Sequence, residues 1–525
     1  MTRSWRGLHA AVLIAGCTVG PAYHVPPAPL PASGVYKEGA WKVASPADAI
    51  PRGRWWTMFH QPELDTLEAR LNVTNQTIVQ ALDNYLAACA QVRAARSQYF
   101  PTVTTAPSVA LSRGQGGFSR GAATAGAAGT VPPGTTIPPG TTAPPGTTGT
   151  TTVPTGAGTA AVASASGSRV TSYALPVDVS WAPDLFGRVR STVHQRQYTA
   201  QASAADLEST RLLAQATLAQ TYFELRGQDA LQELLDATVR ADRAILGLTG
   251  ARYQTGLGAQ VEVVQAQLTL QTALVQATSA RILRAQYEHA IATLLGVPAS
   301  GFALPRRALH ARPPAVPTGT PSQLLERRPD IAAAERQMAA ANAEIGVGYA
   351  AYYPVVTLSG GAGLVGSTLG ALFSWSSRVW SLGASLGETL FDGGLRRANI
   401  DQATAAYHAS VAGYRQTVLT AFQQVEDALA ETRIVAAEIE QQRTAVGLAQ
   451  QALALERTRY ETGIDPYLDL MTQQTALLAA QQALVTLEVQ QMTAAVLLVQ
   501  ALGGGWDRSA LPTPGQVSRA HPQSR

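Results

Sequence analysis

Hydrophobic positions along the chain follow two periods, and each period occurs in both halves. Val356, Leu358, Ala362 and Leu364 alternate with Val355, Thr357, Ser359, Gly361 and Gly363. Farther on, Trp380, Leu382, Ala384, Leu386 and Leu390 alternate with Ser381, Gly383, Ser385, Gly387 and Thr389. A period of two with one apolar and one small polar face describes a strand. The first half repeats it with Val103, Val109 and Leu111, then with Tyr173, Leu175, Val177, Val179 and Trp181. The pattern predicts strands over about 102–113, 169–183, 355–366 and 379–391. An apolar face kept up over about ten residues suits a strand that crosses a bilayer. Tyr99, Phe100, Trp181, Tyr352, Tyr353 and Trp380 fall near the strand ends, as an aromatic girdle would. A soluble sandwich strand is the alternative.

Elsewhere the period is helical. Leu419, Phe422, Val425 and Leu429 keep a 3-3-4 spacing, and Leu470, Leu477 and Leu484 share one heptad position. A helix is predicted over about Glu63 to Gln98, and the proline-free stretch from Arg188 to Gln254 predicts one roughly 100 Å long at about 1.5 Å per residue. From Leu470 to Trp506 the only charge is Glu488. Alanine and glutamine fill the helices, which suits close coiled-coil packing.

The halves are related. At an offset of 207, Gly187 pairs with Gly394, Arg190 with Arg397, Glu224 with Glu431, Arg252-Tyr253 with Arg459-Tyr460, Thr255-Gly256 with Thr462-Gly463, and Leu295-Gly296 with Leu502-Gly503. Upstream the offset is 253, matching Tyr99-Phe100-Pro101 to Tyr352-Tyr353-Pro354. The change of offset comes from an insertion in the first half with three Pro-Pro-Gly-Thr-Thr units over 131–148, neutral from Gly121 to Ser168, which reads as a loop. The expected organisation is a signal peptide over 1–16, an anchored segment over 17–62, a first repeat over 63–297 with a low-complexity loop over 114–168, a linker over 298–320, a second repeat over 321–503 and a tail over 504–525. Four strands per chain cannot close a barrel, and an open edge in lipid leaves backbone groups unsatisfied. The chain is therefore expected to oligomerise.

Composition narrows the class. The 525 residues carry 39 Lys+Arg and 35 Asp+Glu, a net charge of +4, and only 14% are charged. That balance excludes a nucleic-acid footprint. Arg3 and Arg6 precede the apolar stretch Leu8 to Ala15, too short for a membrane span and suited to an export signal. Leu13-Ile14-Ala15-Gly16-Cys17 resembles a bacterial lipobox, in which Cys17 becomes the lipidated first residue, with Ile14 where leucine is commoner. An ordinary secretory signal is the alternative. Cys89, the second cysteine, lies in a helical pattern and reads as a buried thiol.

Almost the whole chain resembles the TolC-like outer membrane efflux factors, in particular the lipoprotein branch that serves RND-type drug efflux systems. The residues that carry this are Cys17-Thr-Val-Gly-Pro-Ala-Tyr23, Trp55-Trp56-Thr-Met-Phe59, Leu324-Leu-Glu-Arg-Arg-Pro-Asp-Ile331 with Ala334-Glu335 and Asn342-Ala343, and the two turns Arg252-Tyr-Gln-Thr-Gly256 and Arg459-Tyr-Glu-Thr-Gly-Ile-Asp-Pro-Tyr-Leu468. The resemblance implies a mixed α and β membrane protein. It also implies a homotrimer whose three chains form a twelve-stranded barrel in the outer membrane of a Gram-negative bacterium, with a long α-helical coiled-coil tunnel in the periplasm. It further implies no enzymatic chemistry and no cofactor beyond a covalent lipid on Cys17. The partners implied are outer membrane lipid, a periplasmic adaptor and an inner-membrane pump docked at the hairpin turns. Gly256 marks the first of those turns; at the second, Gly463 suits the left-handed conformation that ends a helix, and Asp465 suits a cap for the next helix, followed by Pro466. Asp469 matches an acidic ring at the tip, Glu262 is its counterpart in the repeat, and Tyr460, with Tyr253 as its counterpart, matches a residue holding the closed tip. Asp469 is equally favourable as a solvated charge in the first turn of a helix. Thr472 stands where the family often has a second aspartate.

Other signals point elsewhere and fail. Gly361-Ala-Gly363-Leu-Val-Gly366 fits a dinucleotide fingerprint, but a Gly-rich loop and another alternating strand follow instead of a helix. The eight histidines have no metal-ligand spacing, and no nucleophile-base constellation is evident. A periplasmic adaptor lipoprotein should show one hairpin with soluble β-domains, and an envelope coiled coil no strands. The exit duct of a type I protein secretion system remains an alternative within the family.

Overall fold

A computed structural model describes residues 19–29, 53–113, 169–309, 313–314, 316 and 325–520. Cys17 and the Pro-Gly-Thr units lie outside the described residues. The helices are α1 (Pro62–Thr74), α2 (Gln76–Ser97), α3 (Arg188–Gln254), α4 (Gln260–Leu294), α5 (Pro329–Ala350), α6 (Leu369–Leu372), α7 (Leu395–Glu461), α8 (Tyr467–Ala501) and α9 (Pro514–Arg519). The strands are β1 (Thr102–Thr105), β2 (Ser108–Arg113), β3 (Arg169–Trp181), β4 (Val355–Gly366) and β5 (Arg378–Gly387). The chain divides into two compact units, one of residues 1–100, 182–356 and 386–525 and one of residues 101–181 and 357–385.

The first unit is helical. α3 and α7 each have 67 residues, and α4 and α8 each have 35. Gly187 and Gly394 start the long pair in the left-handed region, at φ of 78° and 92°. The single helix predicted over Glu63 to Gln98 is corrected. It breaks at Asn75, whose side chain accepts from the amides of Thr77 and Ile78 at 3.0 Å and so caps α2. The break is held from outside, because Thr74 Oγ1 donates to the Leu295 carbonyl at 2.6 Å and Asn75 Nδ2 to that of Leu294 at 2.7 Å. Gly296, at φ 67°, lies so close that a Cβ there would meet the Thr74 carbonyl oxygen at 2.5 Å.

The main core packs Trp55, Phe59, Leu64 and Leu71 against Tyr222 and Phe223 of α3, Met338 of α5, Val418 and Val425 of α7 and Val496 of α8. Beside it runs a buried ion network. Arg226 meets Glu63 at 2.5 Å and Asp229 at 2.7 Å, and Arg284 meets Asp229 at 2.7 Å. Arg226 and Arg284 also donate to the carbonyls of Pro305 and Leu304, both at 2.8 Å, which ties the segment joining the two halves to α3 and α4. Charges desolvated this far are held only where each finds partners. At the end of the chain, Val517 of α9 buries itself against Cys89, Val92 and Ala200. Burial pushes the Cys89 thiol up, which leaves it an unreactive thiol.

The second unit is an antiparallel sheet in the order β1-β3-β4-β5, with β2 also on β3. The strand predicted over 102–113 is interrupted at Ala106-Pro107, yet the register carries through, since Thr105 faces Val177 and Ser108 faces Ala174. Pro107 and Pro176 each lack an N–H, so the ladder has little to hold it there. β5 stops at Gly387, leaving Leu390 and Phe391 beyond it. The fingerprint-like glycines lie inside β4 and lead to the four-residue α6, with no helix that could receive a phosphate.

Candidate functional site: the helical hairpin tips

Both hairpins turn in the same way. Gly256 (φ 78°) follows the end of α3 and Gly463 (φ 81°) the end of α7. Leu257 and Ile464 donate their amides back to the carbonyls of Arg252 and Arg459, at 2.8 and 2.9 Å. Thr255 and Thr462 return their hydroxyls to the last turn. These bonds satisfy carbonyls that a helix end leaves open.

The side chains diverge. Tyr460 is fully buried, whereas its counterpart Tyr253 is 46% exposed. The Tyr460 hydroxyl pairs with Thr249 Oγ1 at 3.1 Å and its ring meets that of Tyr467 edge-on at 5.9 Å. The guanidinium of Arg252 lies over the Tyr460 ring, 4.6 Å from its centroid, and donates to the Tyr460 carbonyl. A residue of the first hairpin thus places a cation at the C-terminal end of α7, where the helix dipole favours it. Deeper in, Gln474 of α8 donates to the buried carboxyl of Asp242 on α3, and burial raises the pKa of Asp242 while that hydrogen bond lowers it.

Arg459, the counterpart of Arg252, stays local. It forms a two-pronged pair with Asp465, one arm at 2.9 Å. The expected cap by Asp465 is thereby corrected: Pro466 occupies the cap position of α8 with no side-chain bond, and the Asp465 carboxylate is taken up by Arg459. Arg459 holds the Asp465 carboxyl below the usual range, while desolvation and the neighbouring Asp465 push Glu456 up. Asp469 lies exposed in the first turn of α8, and its amide bonds the Pro466 carbonyl at 3.2 Å. Glu262 holds the same place on α4, half-buried, with Oε2 near Gly258. Thr472 returns its hydroxyl to the Leu468 carbonyl at 2.8 Å and adds no charge.

The structure therefore gathers Tyr460, Thr249, Arg252 and Tyr467 into one cluster and leaves Tyr253, Asp469 and Asp465 at the surface around it. Residue order alone gives no site role to Thr249, Tyr467, Asp242 or Gln474. Arg252 stands out in the sequence only as part of the repeated Arg-Tyr-x-Thr-Gly turn, with no role of its own. Its signal was present in Gly258, which stands where the second hairpin has Asp465 and so leaves Arg252 without a local acid.

The family model for outer membrane efflux proteins matches residues 147–297 and 320–504. The chain belongs to the outer membrane efflux protein family. It is similar to the probable efflux pump outer membrane protein TtgC of Pseudomonas putida, with 31% identity over 513 residues covering 96% of each chain. It is 30% identical over 510 residues to the solvent efflux pump outer membrane protein SrpC of Pseudomonas putida, covering 96% of this chain and 98% of that one. Among solved structures, the outer-membrane channel OprN superposes with a TM-score of 0.77 at 27% identity, over 93% of this chain and all of that one. This efflux protein is thus an outer membrane transport protein of the Gram-negative type, and its family is one of ducts and not of enzymes.

Proposed function

We propose that this efflux protein is the outer membrane exit channel of a tripartite pump, a homotrimer that passively conducts small toxic compounds out of the periplasm. The observation that carries the oligomer is a row of exposed apolar side chains at heptad spacing, Val261, Leu268, Val275 and Ile282 on α4, with Ile434, Leu448 and Leu455 on α7. Such seams belong against other helices, and among the described residues of one chain they are left exposed. The sheet, open at β1 and at β5, likewise needs copies to close it. With β1 and β2 counted as one interrupted strand along β3, three copies give twelve strands. The repeat relating α3–α4 to α7–α8 then supplies six helical hairpins.

In this assembly Cys17 carries the lipid that holds the chain to the outer membrane, and an adaptor and an inner-membrane pump engage the hairpin tips. Asp469 and Glu262 ring the periplasmic opening, and the Tyr460 cluster holds it shut. Small toxic compounds such as the solvents for which the SrpC relative is named fit a duct whose selectivity lies mostly in the pump.

The test is disulfide trapping between copies, with Leu268→Cys on α4 and a cysteine scan of α7 around Leu448. A covalent trimer on denaturing gels is expected from the matched pairs. Chains that remain monomeric at every pairing in the outer membrane overturn the assembly. A strain lacking the chain should accumulate a hydrophobic dye and recover on complementation with it, but not with a chain in which Cys17 and the signal are replaced by a soluble export signal.

A further inference from the structure

The sheet's two faces differ in charge as well as in polarity. From the register, Tyr173, Leu175, Val177, Val179 and Trp181 of β3 share a face with Leu358, Gly360, Ala362 and Leu364 of β4. The opposite face carries Ala174, Pro176, Asp178 and Ser180, paired with Val365, Gly363, Gly361 and Ser359. β1 adds Thr102 and Thr104 to this second face. β5 adds Ser381 and Gly383, because Ser359 donates to the Gly383 carbonyl at 3.4 Å and Ser381 lies beside Gly361. Among the described side chains of this face, Asp178 is the charged one. Arg378 belongs to the other parity and stacks on Trp375, its guanidinium 4.0 Å from the ring centroid.

Asp178 sits in a row that crosses all four layers of the sheet: Thr104, Asp178, Gly361, Ser381. Its carboxylate leans over Gly361, where an added methyl would lie 3.0 Å from Oδ1 and 3.1 Å from the hydroxyl of Ser381. The missing side chain at 361 is what lets an acid lie across the strand instead of standing out from it. On the small polar face a carboxylate keeps water, whereas on the apolar face it would be costly.

We propose that Asp178 is a charge-selecting residue of the duct: three copies form a band of carboxylates inside the barrel, separate from the acids of the hairpin tips, that favours cationic solutes and divalent metal ions and retards anions. Fixed charge lining a narrow pore acts in this way, and low-dielectric walls strengthen it. The proposal rests on the barrel reading given above, and its test separates the two.

The purified trimer is placed in planar bilayers under a potassium chloride gradient, and reversal potentials are compared for the wild type, Asp178→Asn, Asp469→Asn and the double variant. Asp178→Asn should lower the cation-to-anion permeability ratio by about threefold, and should do so equally with Asp469 intact or replaced. Unchanged reversal potentials with Asp178→Asn would sink the proposal, because selectivity would then belong to the tips alone. The barrel reading is tested in parallel with Cys89→Ser chains carrying Asp178→Cys or Val179→Cys, in outer membrane vesicles treated with a charged, membrane-impermeant thiol reagent. Labelling at 178 and protection at 179 supports the face assignment. Equal labelling, or protection at 178, removes the face assignment and the selectivity proposal with it.

Discussion

The two hairpin turns have the same backbone and different chemistry. Each ends a 67-residue helix with a left-handed glycine, and each carries Arg-Tyr one turn before it. At the second, Arg459 closes on Asp465 and the tyrosine goes inward. At the first, glycine stands in place of the acid, so Arg252 reaches across to Tyr460 and its own neighbour Tyr253 is left outside. One hairpin is the clamp and the other is what it holds. Two turns of one geometry differ in their contacts through the residue two positions after the glycine, Gly258 in one and Asp465 in the other.

The sharpest way to break this comparison is to remove the tyrosines in turn. Tyr460→Ala empties a fully buried site with an aromatic contact and should cost about 3–5 kcal/mol, by analogy with other buried aromatic truncations, while raising the resting conductance. Tyr253→Ala should leave both unchanged. Similar thermal shifts for the two would mean that the asymmetry of the tips does not operate in the membrane. Next come the arginines. Arg252→Ala removes a cation–π contact and a helix-end hydrogen bond, for about 1–2 kcal/mol, and should again raise the leak current, whereas Arg459→Ala should give a Tm inseparable from the parent. Tyr460→Phe keeps the ring and loses only the bond to Thr249, an effect of about 1 kcal/mol that is readable as a smaller shift in melting.

The pH dependence gives a finer test. Burial raises the carboxyl pKa of Asp242 in the folded chain, so the fold favours its protonated form. That contribution to stability is complete below the ordinary carboxylate range and is lost as pH rises through the raised value. Asp242→Asn should therefore lose less stability than the parent as pH rises above the ordinary carboxylate range, and parallel curves would rule the residue out. Last and smallest, Asp465→Gly should leave Arg459 without its acid and return Glu456 toward the ordinary range, with a change in the titration of the tip and little change in melting.

Much of this arrangement could be read from residue order. Strands announced themselves by the alternation around Val177 and Leu358, the turns by Thr-Gly after Arg-Tyr, and the lengths of the helices by the absence of proline from 188 to 254. Three things escaped, each for a physical reason. The break at Asn75 needed the carbonyls of Leu294 and Leu295, more than 200 residues away. Asp465 looked like a helix cap because caps are local and ion pairs with a residue six positions back are not visible in a motif. The Tyr460 cluster draws on α3, α7 and α8 at once, and a repeat that matches Tyr253 with Tyr460 argues for equal roles when packing makes them unequal.

The docking of residues 19–29 carries a consequence for the order of assembly. Tyr23 donates to Glu335 Oε1 at 2.6 Å, Asn342 donates to the Pro21 carbonyl at 3.2 Å, and Gly20 lies against Gly346 of α5. These contacts join positions 312 and more residues apart, so residues 19–29 have no seat on the fold until α5 has been made. During folding, residues 19–29 therefore stay loose until α5 is in place, and their docking is a late step that closes the helical unit.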